Sequence, residues 1–185
     1  MVSAVAAEKH GQTFDLFDID DDGYLTRADF EAIATRLTQA ADKTHDQSLY
    51  DAYLHFWNSL AGEVGIDPEG RMTRQEFIEG LDRLMKTSTG FDEVIAQMPY
   101  AVLALYDRDG DGRVSREEFL AMQTAAGVSR DKAEIALLAL DRDADGVIGV
   151  EDLLAAVREF MLSDDLFAPG NWLFGGLEPK PIRYY

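Results

Sequence analysis

The sequence predicts an all-α protein: four helix-loop-helix units grouped into two packed lobes, with short β-ribbons pairing the loops. Three observations carry this expectation. A twelve-residue acidic stretch recurs, starting at residues 18, 65, 107 and 141. On both sides of each copy, large apolar residues return at intervals of three and four, the period of one helical face. A single such unit cannot bury its apolar face alone, so the units must associate. With 46% hydrophobic residues in 185, the chain can build a real core.

The stretch Asp107–Glu118 is the clearest copy. Carboxylates fall at positions 1, 3 and 5 (Asp107, Asp109, Asp111), and Gly112 stands at position 6, where the chain must turn through a left-handed conformation. Arg113 at position 7 offers its backbone carbonyl, and Ser115 at position 9 acts through water. Glu118 at position 12 is long enough to give both oxygens to one ion. Hard oxygen donors in this order are what a cation of calcium size requires, and this is the EF-hand arrangement.

The elements follow in order. Phe14 and Phe17 lead into loop one, Asp18–Asp29, and Phe30, Ile33 and Leu37 follow it. A long helix is expected from Thr44 to Ala61, starting at Thr44 or Asp46, with Leu49, Tyr53, Phe56 and Leu60 on one side. Loop two, Gly65–Glu76, precedes Phe77, Leu81 and Leu84. Thr87–Gly90 reads as the inter-lobe linker, and Pro99 as a residue that opens or kinks the next helix. Val102, Leu103 and Tyr106 lead into loop three, and Phe119 and Met122 leave it. Leu137 and Leu140 lead into loop four, Asp141–Asp152, and Leu153, Val157 and Phe160 leave it. Leu25 is expected opposite Met72, and Val114 opposite Ile148. The expected organisation is an N-terminal pair of hands in 1–88, a C-terminal pair in 89–165, and a tail in 166–185.

Loops one and four keep three aspartates and the glycine but end in Asp29 and Asp152, one methylene shorter than Glu. The smaller cage weakens calcium relative to magnesium, so Mg2+ is expected to compete at hands one and four. Loop four also has Gly149 at position 9, leaving that vertex to water. Loop two starts with Gly65 and is stiffened by Pro68; lacking its first carboxylate, it is expected to be a silent scaffold, with Asp67, Glu69 and Glu76 as solvated charge. Three calcium ions would take the formal charge from -18 to about -12, and repulsion in the empty loops should couple binding to folding.

That negative charge argues against nucleic acid and anionic membrane surfaces, and for cations or basic segments as partners. The absence of cysteine excludes disulfides and thiolate sites. Residues 1–8 carry neither a signal-peptide pattern nor a myristoylated glycine, and no stretch is long and apolar enough to span a bilayer, so a cytoplasmic monomer without membrane anchor is expected. The tail holds Leu166, Phe167, Trp172, Leu173 and Phe174 without helix or strand period. It is expected to fold back into a groove, the alternative being an exposed arm that grips a partner. Glu178–Pro181 reads as an extended, frayed end.

Four hands in two lobes, a degenerate second hand, a long connection between the first two and Asp at the end of loop one resemble bacterial calerythrin and the invertebrate sarcoplasmic calcium-binding proteins. The run Phe17–Glu31 and the tail through Leu173-Phe174-Gly175 are similar to calerythrin. The resemblance implies lobes packed face to face, a role as calcium buffer or signal modulator, and no enzymatic activity. It carries metal ligation to Asp18, Asp20, Asp22, Tyr24 and Asp29; to Asp107, Asp109, Asp111, Arg113 and Glu118; and to Asp141, Asp143, Asp145, Val147 and Asp152. Two other functions compete. A sensor would open a groove for an unidentified target protein, but six scattered methionines are few for such a surface. A luciferin-binding photoprotein shares the pattern of active and silent hands, but His10, His45 and His55 form no visible catalytic set and the chain does not end in proline.

Overall fold

The computed structural model describes residues 2–177. Among them are eight α-helices and two two-stranded antiparallel ribbons. Helices α1 (Ala4–Phe17) and α2 (Arg27–Ala40) flank loop one, and α3 (Gln47–Val64) and α4 (Arg74–Met85) flank loop two. Helices α5 (Gln97–Tyr106) and α6 (Arg116–Ala125) flank loop three, and α7 (Arg130–Leu140) and α8 (Val150–Leu162) flank loop four. Strands β1 (Tyr24–Thr26) and β2 (Arg71–Thr73) set Leu25 opposite Met72; β3 (Arg113–Val114) and β4 (Ile148–Gly149) set Val114 opposite Ile148. All four apolar residues of these pairs are fully buried, because the pleat turns them away from the ion side of each loop.

Helix ends follow local chemistry. The Asp46 carboxylate accepts from the Leu49 N–H and starts α3, settling the choice between Thr44 and Asp46. Gly65, at φ +83°, ends the same helix in the left-handed conformation. Thr87 bridges the end of α4 to Gly90, and a π-helical segment, Gly90–Ile95, feeds into α5. Pro99 is the third residue of α5, where no N–H is needed by the helix, so it opens α5 without breaking it.

One continuous core runs through both halves. In the first half Phe17, Phe30, Phe56, Phe77 and Trp57 pack largely edge to face, with centroids 5.2–6.5 Å apart. The Trp57 indole N–H donates to the Pro68 carbonyl, so the silent loop closes over the largest core side chain.

Helix α1 ties the first hand to the last. The Lys9 ammonium is buried and donates to the carbonyls of Glu159 (3.3 Å) and Ser163 (2.7 Å), closing the C-terminus of α8. The Gln12 amide donates to the carbonyls of Phe174 and Gly176.

The tail folds back, but by a different part than its composition suggests. Leu173 is buried, and Phe174 meets Phe160 edge-on at 5.0 Å. Leu166 and Phe167 point to solvent, Phe167 at 92% exposure, and Trp172 lies at the rim, 37% exposed. The backbone explains the difference. Gly170 sits so close to α8 that a Cβ there would fall 2.4 Å from the Ala156 carbonyl, and the turn Pro169–Trp172 then directs only Leu173 and Phe174 inward. The expected extended end, Glu178–Pro181, lies outside the described residues.

His10 is 1% exposed, with neither ring nitrogen hydrogen-bonded. Burial lowers its pKa; the backbone at Ile78 and Met161 lies beside it outside hydrogen-bonding geometry, and the charges facing it are Asp82 on α4 and Lys9. The unfolded chain therefore takes up a proton near the ordinary value of 6.5 that the folded chain accepts only at lower pH. Stability from neutral His10 is fully present above that value and is lost as pH falls below it. Urea unfolding at pH 7.5 and 5.5 checks this: His10→Phe is expected to lose less stability on acidification than the parent chain, and equal losses would count against it.

Candidate metal centres

In loops one, three and four the carboxylates at positions 1, 3 and 5 converge. Asp18, Asp20 and Asp22; Asp107, Asp109 and Asp111; and Asp141, Asp143 and Asp145 each bring three oxygens within 4.8 Å of one another. The loop backbone imposes this. The Asp107 carboxylate accepts from the N–H groups of Gly110, Asp111 and Gly112, and the Asp111 carboxylate from that of Arg113. Asp18 holds Asp22 and Gly23, and Asp141 holds Asp145 and Gly146, in the same way. Position 6 is left-handed in all three, with φ +84° at Gly23, +82° at Gly112 and +86° at Gly146, a conformation that glycine adopts without strain.

Charge is tuned locally. Hydrogen bonds from Gly112, then Gly110 and Asp111, hold the Asp107 carboxyl below its usual range. Desolvation, then the charges of Asp22 and Asp29, push Asp20 up. The first ligand of loop three is thus braced by three N–H groups, while at position 3 of loop one a single N–H, that of Asp22, only partly offsets burial and the neighbouring charges.

The position-12 residues differ in a way their spelling does not foretell. Glu118 accepts from Ser115 with one oxygen and from the Arg108 N–H (3.3 Å) with the other; desolvation opposes, but these bonds hold its pKa down. Asp29, though shorter, bridges likewise, to Thr26 and to the Ile19 N–H (3.2 Å). Among the described residues Asp152 accepts only from the Gly149 N–H. All three lie outside the three-aspartate groups, at the start of α2, α6 and α8; Asp29 and Glu118 close capping boxes with Thr26 and Ser115, whereas Gly149 has no side chain to return the bond from Asp152. Tyr24, Arg113 and Val147 stand at or beside the ribbon strands, as position 7 requires.

Two features escaped the sequence. The Arg113 guanidinium pairs with Asp145 of loop four, and this bond, after that from Val147, keeps the Asp145 pKa down. Nothing in the spacing of two separate loops announces that pair. In loop two, Glu76 is not idle surface charge: it caps α4 through Thr73, which lowers its pKa. Glu69 pairs with Arg27 across the loops. Loop two yields no acidic cluster among the described residues.

Three clusters of hard oxygen donors on ribbon-paired helix-loop-helix units fit Ca2+ and define a calcium-binding EF-hand protein. The EF-hand domain pair family matches residues 100–164, and the EF hand family matches residues 11–34. Calerythrin of Saccharopolyspora erythraea is 31% identical over 166 residues, covering 86% of this chain and 94% of that protein. The chain belongs to the family of calerythrin and the sarcoplasmic calcium-binding proteins. A solved structure of a Streptomyces coelicolor calcium-binding protein, described as a basis for calcium-mediated regulation, aligns with TM-score 0.72 at 31% identity over 84% of this chain and 98% of that one. The luciferin-binding protein of Renilla reniformis is 28% identical over 163 residues, covering 86% of this chain and 88% of that protein. No helix among the described residues is long and apolar enough to cross a membrane.

Proposed function

We propose that the protein is a cytoplasmic, monomeric calcium buffer or signal modulator that binds three calcium ions, in hands one, three and four. The observation that supports it is the repeated geometry of the three loops, in which the first aspartate is braced by backbone N–H groups while its neighbours converge. The ligands are Asp18, Asp20, Asp22, Tyr24 and Asp29; Asp107, Asp109, Asp111, Arg113 and Glu118; and Asp141, Asp143, Asp145, Val147 and Asp152, with Tyr24, Arg113 and Val147 acting through their carbonyls. The strong net charge favours a monomer. Buffering is favoured over sensing because Leu173 and Phe174 fill space that a target helix would need. A luciferin carrier is disfavoured by the interior cavity, which at about 100 Å³ is too small for a multi-ring ligand. Calorimetric titration with calcium tests the reading: three sites are expected, and saturation at two or four overturns it.

Magnesium competes at hands one and four, and most strongly at four, where Asp152 does not bridge the loop. Asp152→Glu is expected to raise calcium affinity of loop four about tenfold, one added charged contact, and to lower its tolerance of magnesium. Calcium titrations in magnesium decide this, and unchanged selectivity would overturn the coordination argument.

A further inference from the structure

Between the two halves lies a half-open cavity of about 100 Å³, walled mainly by apolar side chains such as Phe56, Met98 and Leu173. Four polar side chains line it, and one of them, Thr13, already donates its hydroxyl to the Lys9 carbonyl. Arg36, half-buried on α2, has its Nε buried without a hydrogen-bond partner, and it forms no ion pair among the described residues. Gln123 of α6 and Tyr53 of α3 are 3% and 7% exposed, and among the described residues their side-chain polar atoms make no hydrogen bond. Tyr106 differs, since its hydroxyl donates to the Leu37 carbonyl. Of these groups only the Arg36 Nε is sealed from solvent without a partner, a cost that an acceptor in the cavity would remove, and the Tyr53 hydroxyl and Gln123 amide line the same space with donors free to join it.

We propose that this cavity is a binding site for a small amphipathic anion: a carboxylate of one aromatic ring or a short branched chain. The head group matches the lining. Among the described residues Arg36 supplies the only formal positive charge on the cavity wall, and its planar fork suits a carboxylate. Tyr53 supplies a hydroxyl donor and Gln123 an amide donor. Burial drives the Tyr53 phenol pKa upward, so it keeps its proton at neutral pH. The body is limited by the size of the space: a dry apolar cavity of about 150 Å³ holds benzene, so this one, at about 100 Å³ and open on one side, takes a short branched chain in full and a single ring only in part. Helices from both halves and the tail build the wall. An occupant therefore touches both lobes at once and stabilises the arrangement in which they are closed.

Benzoate and the neutral benzyl alcohol, titrated into the calcium-loaded full chain, are the probes, followed by NMR shifts and calorimetry. Benzoate is expected to bind saturably with shifts at Tyr53, Gln123 and Leu173, and more tightly than benzyl alcohol. Arg36→Gln keeps most of the stem and is expected to weaken benzoate about tenfold or more, the scale of one hydrogen bond to a charged group. Its effect on benzyl alcohol should be small, and Tyr53→Phe should weaken benzoate by a smaller factor. No saturable benzoate binding, equal affinity for the alcohol, or benzoate binding indifferent to Arg36→Gln each overturns the proposal. Calcium stoichiometry is measured on the same samples, so failure of the cavity site is separable from failure of the calcium reading.

Discussion

Asp107→Ala is expected to abolish the tightest calcium phase and reduce the stoichiometry from three ions to two. The Asp107 carboxylate has two roles, supplying the first oxygen of loop three and accepting three backbone N–H groups that shape the turn. Alanine removes the ligand and releases the turn together, so affinity at that loop should fall by about a hundredfold or more. At calcium a thousandfold above the dissociation constant, the bound ion contributes about 4 kcal/mol of apparent stability, of which a hundredfold loss of affinity removes about 2.7 kcal/mol. Calorimetry and thermal unfolding in calcium measure both effects. Asp67→Ala, in the silent second loop, is the control and should leave binding unchanged. Retention of the strongest phase in Asp107→Ala would refute the ranking of the sites.

Removing residues 166–185 is expected to cost about 3–5 kcal/mol and to make the calcium-loaded protein bind an apolar dye. Leu173 is buried and Phe174 packs on Phe160. Their loss removes about 2 kcal/mol of burial each and opens the space they cover, to which the lost Gln12 contacts add. Gly170→Ala reaches the same end with one methyl group, because its Cβ has no room beside the Ala156 carbonyl. Phe167→Ser, at a solvent-facing site, should change stability by less than about 0.5 kcal/mol. Denaturant unfolding of the three variants makes the comparison, and a truncated chain as stable as the parent would overturn the account. The intact chain discriminates further. Dye binding that rises when calcium is added would mean that the tail is released, and would put a sensor ahead of a buffer.

The helices and ribbons were legible because loop chemistry fixes them. Three aspartates, a glycine and a hydrophobe at set spacing determine where one helix ends, which residue enters the ribbon and where the next helix begins. Leu25, Met72, Val114 and Ile148 accordingly stand where their loop positions put them. The tail was less legible, since its conformation depends on Gly170 against α8 and on Gln12 from the opposite end of the chain, neither of which has a periodic signature. The metal loops were legible in their ligand types but not in their ranking. Asp29 and Asp152 read alike, yet only Asp29 also bonds the N–H of loop position 2. Arg36, Tyr53 and Gln123 fall on three helices far apart in sequence, so their meeting around one cavity comes only from tertiary packing.

The contacts of α1 bear on how the chain is made. Ser3, Lys9 and Gln12 leave the ribosome well before their partners Asp164, Glu159, Ser163, Phe174 and Gly176, which follow 150 to 164 positions later. Until then α1 can rest on α4 and α2 through Phe14 and Phe17, with the Lys9 ammonium facing water instead of the end of α8. Closing so long a loop belongs to the slow end of folding. Helix α1 is thus made before the elements that secure it, and a nascent chain halted before α8 would hold its first calcium loop on a helix docked on one side only.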